Sequence, residues 1–400
     1  MRIVHVTFYY DENLADEEEL LEQYYTVTGW AEALQRQGAE VIVMSRFNKE
    51  SYLLKNNVHY HFIKDPDGGQ LKSWHFPLAF FKKINRLQAD IIHLHHLTLS
   101  PQTFLLRRLI ARKTAIIVQH HGGPLPGRRK RELHNFFNAA ADGFFFTTTE
   151  QGIEWFINKK SANKVFPVME GATFFNYAER DIRRAFTYYD RDIARKKTGM
   201  NGALVFLWVG RLDHNKDPLT TLDGFEILFR EYTSASLYMI YSDDKLANEV
   251  IKKIAGSEIL KNKVHLVGKI PHREMEMCYN SADYFVLGSH YEGSGYALSE
   301  ALSCGCIPVI TDIPSFRMMT KDGQLGALWE SGNKHSLIEA VTTALDKPLR
   351  DEANACIDFY KKTLSFDAIA RVAMAHYQHI VASRVQKANN KKSSNAITQQ

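Results

Sequence analysis

Cysteine is scarce in this chain of 400 residues: Cys278, Cys304, Cys306 and Cys356, all in the C-terminal third and none in a Cys-x-x-Cys pair. That excludes a disulfide framework and a zinc ribbon, and reads as buried thiols in a reducing compartment. No apolar run is long enough to cross a bilayer. The N-terminus lacks the basic-then-apolar layout of a signal peptide and opens directly on Ile3-Val4-His5-Val6. The expected location is the cytoplasm, with a peripheral position at the inner face of the membrane left open. Charge of one sign does not dominate either: 50 Lys and Arg oppose 45 Asp and Glu, a net +5. Such a balance favours anionic partners without naming one. The basic groups are scattered and match no nucleic-acid module, so nucleic acid is not an expected partner.

The chain does have an alternation of short β-branched runs with longer segments of helical period. Strands are expected at 2–8, 40–45, 58–63, 90–94, 115–119, 143–147 and 164–168, then at 203–209, 235–241, 263–267, 283–288 and 307–310. Helical segments such as 28–37, 99–112 and 216–230 lie between them. Strands alternating with helices imply parallel sheets covered on both faces. Near-continuous apolar runs such as Leu204-Val205-Phe206-Leu207-Trp208-Val209 suit strands buried on both sides.

A charged stretch at 172–202, with Glu179-Arg180-Asp181, Arg183-Arg184 and Arg195-Lys196-Lys197, interrupts the series. It reads as the join of two α/β domains, 1–190 and 200–364, each doubly wound and Rossmann-like, facing each other across a cleft. The helix expected at 365–385 would carry Ile369, Val372, Ala373, Tyr377 and Ile380 as core positions, and the polar stretch 386–400 reads as a disordered tail. Ligands of open α/β sheets bind at the carboxyl ends of the strands, which is where functional motifs are sought.

Two motifs fall there. Strand 283–288 leads into Gly288-Ser-His-Tyr-Glu292-Gly293-Ser294-Gly295-Tyr296-Ala297, with Glu300 further on. Gly293 and Gly295 permit a sharp turn and close ligand approach. A helix starting near Ser294 would offer unpaired amides and a favourable dipole to a diphosphate. Glu300 would then lie about 80° round the helix from Glu292, so both acids could face one ligand. The bland alternative is a glycine turn with two solvated glutamates. Strand 203–209 leads into Gly210-Arg211-Leu212-Asp213-His214-Asn215-Lys216. Arg211 and Lys216 would neutralise a diphosphate leaving group without a metal ion. The alternative is a solvated turn with a surface ion pair, such as Arg211 with Asp213.

The segment Glu292 to Glu300 is similar to the Glu, seven residues, Glu signature of retaining glycosyltransferases of the GT-B fold. Gly210-Arg211-Leu212 with Lys216 resembles their phosphate-binding turn. The likeness is to family 4 glycosyltransferases and spans nearly the whole chain. It implies a retaining, metal-independent hexosyltransferase with no cofactor beyond its substrate, a UDP- or GDP-linked sugar. Arg211, Lys216 and the amides of Ser294, Gly295, Tyr296 and Ala297 would hold the diphosphate, and Glu300 the ribose. Glu292 would face the donor sugar near its reacting carbon. His121, after strand 115–119, matches a His-Gly pair whose histidine reaches that sugar; His120 is the alternative, and strand alternation points it the other way. The acceptor would be a glycan or a lipid-linked species, as in polysaccharide biosynthesis. A sugar-nucleotide epimerase, a phosphorylase and a catalytically silent GT-B subunit are the rival readings.

Asp90-Ile91-Ile92-His93-Leu94-His95-His96 looks like a metal site, since period two puts His93 and His95 on one face. No suitable acid or cysteine ligand is evident nearby in sequence, three ligands would be needed, and the resembled family commonly carries Asp-x-x-His-x-His here without metal, so no metal site is expected. The chain departs from the family in its first loop, Tyr9 to Glu19, which is acidic where Gly-Gly is frequent. An acceptor lid and a solvated loop with an acidic helix start are the two readings. A second departure is Met169-Glu170-Gly171 in place of Pro-Asn-Gly, for which the residues offer no explanation. Basic clusters at Lys82-Lys83 after Phe80-Phe81, Arg107-Arg108, Arg112-Lys113 and Arg128-Arg129-Lys130-Arg131 suit either peripheral contact with anionic lipid or plain solvated helix faces.

Overall fold

The computed structural model describes residues 1–14, 16–65, 69, 71, 72, 74–172, 188–242 and 245–397. The chain forms two compact units, Met1–Gly171 with Phe366–Gln400, and Ala172–Ser365. The second unit opens at Ala172, earlier than the expected join, and the described residues 188–190 go with it. The charged cluster Glu179 to Arg184 is outside the described residues.

The first unit holds one sheet of β1 (Arg2–Thr7), β2 (Glu40–Phe47), β3 (Ser51–Lys55), β4 (Val58–Lys64), β5 (Ile91–Leu94), β6 (Ala115–Gln119), β7 (Gly143–Phe146) and β8 (Val165–Pro167). Their order is β3-β4-β2-β1-β5-β6-β7-β8, parallel throughout except where β3 meets β4. Both faces of the central strands are buried, neighbouring residues turning alternately to one side and the other. Ile3, Val43, Tyr60 and Ile117 face one core with Trp30 and Tyr377, whereas Val4, Val6, Ile42 and Val118 face the other with Phe81 and Leu106.

β3 is the strand the sequence reading lacks. Ser-Tyr-Leu-Leu-Lys has no β-branched residue and sits half-exposed at the sheet edge. It is placed by a hairpin turn whose Asn56 and Asn57 have φ of +50° and +60°. Two left-handed residues are what a two-residue hairpin loop needs, and asparagine tolerates them.

The acidic first loop gives way to a short helix, Glu17–Gln23, capped by Asp16, whose side chain accepts from the Glu19 amide. Glu17, Glu18 and Glu19 fill its first turn, where the helix dipole favours negative charge.

The C-terminal helix Phe366–Ile397 belongs to this unit. Ile369, Ala373, Tyr377 and Ile380 are in the core, but Val372 is exposed, a correction to its expected place. The helix also continues well past 385 into the stretch read as a disordered tail. From Phe366 to Ile397 there is no glycine or proline to stop it.

The second unit holds β9 (Leu204–Gly210), β10 (Ala235–Tyr241), β11 (Val264–Gly268), β12 (Tyr284–Leu287), β13 (Ile307–Thr311) and β14 (Ala327–Trp329). The order β11-β10-β9-β12-β13-β14 is parallel throughout, the doubly wound arrangement of a dinucleotide-binding fold. β14, three residues long, also escapes a reading by pattern. Asp283, buried ahead of β12, ties the start of this sheet to the helix Tyr188–Thr198. It accepts from Arg191 at 2.8 Å, from Arg195 at 2.6 Å and from the Val205 amide at 2.7 Å. Strand order reverses between β9 and β12 here, and between β1 and β5 in the first unit. The loops after those strands are the natural ligand-binding edges. Among the described residues no helix is long and apolar enough to cross a membrane.

Candidate active site

In the second unit the loops after β9 and β12 are stitched together. The His290 amide donates to the Asn215 carbonyl at 2.9 Å, and the Asn215 side chain bonds the Tyr291 carbonyl and amide, each at 3.1 Å. The fit is close: a Cβ on Gly288 would stand 3.2 Å from the carbonyls of Lys216 and Asp217. This seam brings the Lys216 ammonium onto the Glu292 carboxylate, both side chains mostly buried. Lys216 also donates its amide to Asp213 at 3.0 Å, while Arg211 pairs with Asp213 at 3.3 Å and is half-exposed. The surface ion pair of the bland reading is therefore present, and beside it a cation and an acid meet at the switch point.

The helix after β12 spans Tyr296–Ser303, with Gly295 at its N-cap. It starts two residues later than expected. Gly293, Ser294 and Glu292 lie in the loop, so the helical angle between Glu292 and Glu300 does not apply. Gly295 is required by packing, since a Cβ there would lie 2.7 Å from the Phe316 ring. Ala297 follows Tyr296 in the first turn. Glu300, on the same helix, is buried, accepting from the Tyr279 hydroxyl at 3.1 Å and lying 2.7 Å from His272 Nε2. His272 comes from a single turn, His272–Glu274, and Tyr279 from the helix Met275–Ser281. Sequence reasoning missed both, because neither stands in a recognisable motif.

In the first unit, Gly122 and Gly123 turn the chain after β6 with φ of +86° and +105°, values that favour glycine. His120 is turned onto Phe146, ring centroids 4.9 Å apart, and its Nδ1 accepts from the Gly122 amide at 3.3 Å. His121 points the other way, its Nδ1 on the buried Glu170 carboxylate and its Nε2 3.1 Å from His95 Nδ1. His95 Nε2 in turn meets His5 Nδ1 at 2.8 Å. His93 Nδ1 is 2.5 Å from the Tyr377 hydroxyl.

His5, His93 and His95 could between them offer a metal three nitrogens, all within 4.8 Å of one another. The three already make hydrogen-bond contacts, His5 with His95 and His93 with Tyr377, and the His93 and His95 rings are inclined by 12°. Burial holds His5 down to about 3 and His95 well below the usual histidine range, so both are neutral.

All four cysteines are free and buried. The basic clusters are mixed in setting. Phe80 and Phe81 are core residues, so Lys82-Lys83 has no exposed aromatic neighbour from that pair. Arg107 is tied to Asp142 and to the Thr114 and Ala111 carbonyls. By contrast, the helix Arg128–Asn138 carries exposed Leu133 and Phe136 beside its basic first turn. It borders an apolar surface groove of about 680 Å³ that includes Phe104, Arg108 and Lys160.

Residues 190–363 match the model of "Glycosyl transferases group 1", and residues 25–151 that of "Glycosyltransferase Family 4". The GDP-mannose:cellobiosyl-diphosphopolyprenol alpha-mannosyltransferase of Xanthomonas campestris is 22% identical over 95% of this chain and 94% of its own. The UDP-Gal:alpha-D-GlcNAc-diphosphoundecaprenol alpha-1,3-galactosyltransferase of Escherichia coli is 23% identical over 67% of this chain and 70% of its own. A solved glycosyltransferase from Rickettsia africae has the same fold, with a TM-score of 0.72 at 16% identity over 95% of this chain and 98% of its own. Two doubly wound units, each matched by its own family model, make the assignment: the chain belongs to the group 1 glycosyltransferases of the GT-B fold.

Proposed function

We propose that the protein is a retaining, metal-independent hexosyltransferase that moves a sugar from a UDP- or GDP-linked donor to a lipid-linked glycan. One observation carries the reading: Lys216 and Glu292, on different loops, meet at the switch point of the second unit. A cation there stabilises the charge that develops on a departing diphosphate, and does so without a metal. Arg211, half-exposed beside it, supplies a second cation, and the N-terminus of the helix Tyr296–Ser303 adds its dipole, the Tyr296 amide itself donating to the Ser294 carbonyl at 3.0 Å. Glu292, paired with Lys216 near the proposed diphosphate position, is read as facing the donor sugar near its reacting carbon. Glu300 is assigned to the ribose and His121 to the substrate sugar. The acceptor class follows the Xanthomonas and Escherichia relatives, whose names give diphosphopolyprenol and diphosphoundecaprenol acceptors. Such an acceptor lives at a membrane. Leu133 and Phe136 beside Arg128, Arg129 and Lys130 suit peripheral contact with anionic lipid at its inner face.

A thermal-shift series with UDP, GDP, ADP and their sugar conjugates tests the donor site, since a ligand of the native state raises its melting temperature. A shift with one nucleotide that disappears in Arg211→Ala is expected. Folded protein that responds to none of them would favour a silent subunit.

A further inference from the structure

Glu170 replaces the asparagine frequent in the resembled family, and its carboxylate is 3% exposed. A carboxylate so far from water needs donors aimed at it. His121 Nδ1 supplies one, and the Gln119 side-chain amide lies 3.5 Å from the same oxygen. Behind His121 the contacts continue in series through His95 to His5.

We propose that Glu170 is the positioning residue for His121, anchoring a one-directional row of hydrogen bonds, Glu170–His121–His95–His5, that fixes the tautomer and the orientation of the His121 ring.

The direction follows from counting protons. Burial keeps His95 and His5 neutral, so each ring has one N–H and one lone pair. If His121 donates its Nδ1–H to the Glu170 carboxylate, its Nε2 accepts from His95 Nδ1–H, and His95 Nε2 accepts from His5 Nδ1–H. The row ends on His5 Nε2, a bare lone pair that is buried with no partner among the described residues. The reverse row would move a proton onto Glu170 and leave His5 Nε2 as a buried N–H without an acceptor. Orphaned acceptors are tolerated more readily than orphaned donors. His93, fixed by Tyr377, flanks the row, its ring centroid 4.6 Å from that of His95 and inclined to it by 12°. The His121 ring is thereby held in one orientation, so a substrate meets its face and C–H edge already placed. A histidine held by a carboxylate in this way has its tautomer set by its partner.

This rests on the reading of His121 as a substrate contact, so the test has a readout independent of turnover. Long-range ¹H–¹⁵N correlation spectra of the full chain at pH 7.5 report each histidine's tautomer. His121, His95 and His5 are expected as Nδ1–H. Glu170→Leu should release His121 to the Nε2–H or an averaged form, and Glu170→Gln, whose amide oxygen can still accept, should restore it. Nε2–H at His121 in the wild type overturns the proposal, whatever the variants do. So does a His121 signal indifferent to Glu170→Leu. In turnover, Glu170→Leu and His121→Gln should each lose tenfold or more, and the double variant should lose no more than threefold beyond the worse single one. Additive losses would count against action through His121. If His121→Gln alone keeps full turnover while the tautomers are as expected, the substrate contact fails and the positioning stands.

Discussion

His272 Nε2 lies 2.7 Å from Glu300 Oε1, while the Tyr279 hydroxyl donates to Oε2 at 3.1 Å. The acid assigned to the ribose is thus held from two sides by residues of the turn and helix that precede β12. His272→Ala should loosen it and weaken nucleotide binding about tenfold, the worth of a hydrogen bond to a charged group. Glu300→Gln should weaken it by as much or more. Calorimetric titration with UDP and GDP measures both, and an affinity unchanged in Glu300→Gln would remove it from the nucleotide site.

Lys216 and Glu292 make the complementary prediction. Glu292→Gln should keep nucleotide affinity and lose transfer by at least about a hundredfold, as expected of a group that acts in the transition state. Lys216→Ala should lose both, because it removes a cation from the leaving group and takes the Lys216 ion pair from the mostly buried Glu292. Titration and initial rates on the same preparations separate the two. Unchanged turnover in Glu292→Gln would exclude it from the chemistry.

The strands were legible because most are buried on both faces and so carry unbroken apolar runs. Those that escaped, Ser51–Lys55 and Ala327–Trp329, are an exposed edge and a three-residue stub. The motifs at the switch point were legible for a related reason: glycine, cation and acid types are demanded locally by the turn. What holds them was not. His272, Tyr279 and His5 act across long separations in sequence, and only topology brings them to Glu300 or to His95. Glu170 is the sharpest case, unexplained as a letter and plain once β6 places His121 against it.

Acid should unfold this protein through buried histidines. Burial lowers His5 and His96 to about 3 and His120 to about 4, against 6.5 when unfolded. Below about pH 6.5 the unfolded chain therefore binds more protons than the native one, and stability falls as pH falls. Each group contributes about 1.4 kcal/mol per pH unit through this window. Urea unfolding between pH 7 and pH 5, where carboxylates stay ionised, should show the decline, and His5→Asn should make it shallower. A flat profile would mean these rings are protonated in the fold.

The thiols should be inert. Burial pushes Cys278 up to about 11 and Cys306 up to about 12, and raises Cys304 and Cys356 as well. At pH 8 almost no thiolate exists to attack, and the sulfurs are shielded. Iodoacetamide should leave the native protein unmodified by mass and add four groups in denaturant. Rapid native labelling at Cys278 would show that its helix opens readily.

Phe366 explains two glycines at once. A Cβ on Gly29 would strike its ring, and so would one on Gly171. The ring at the start of the C-terminal helix is thus clasped between the helix Tyr25–Arg36 and the segment after β8, within one unit. Neither glycine has a positive φ, so space rather than backbone conformation decides the residue. Gly29→Ala and Gly171→Ala should each cost about 1–3 kcal/mol, the usual penalty for overpacking a core. Phe366→Leu, by shortening the ring, should recover part of that loss in combination with either alanine, although alone it removes buried area and destabilises. Denaturant melts of the single and paired variants form a double-mutant cycle whose sign is the test. Strictly additive costs would mean that the steric conflict lies elsewhere, and that the helix is held by Ile369, Ala373 and Tyr377 alone.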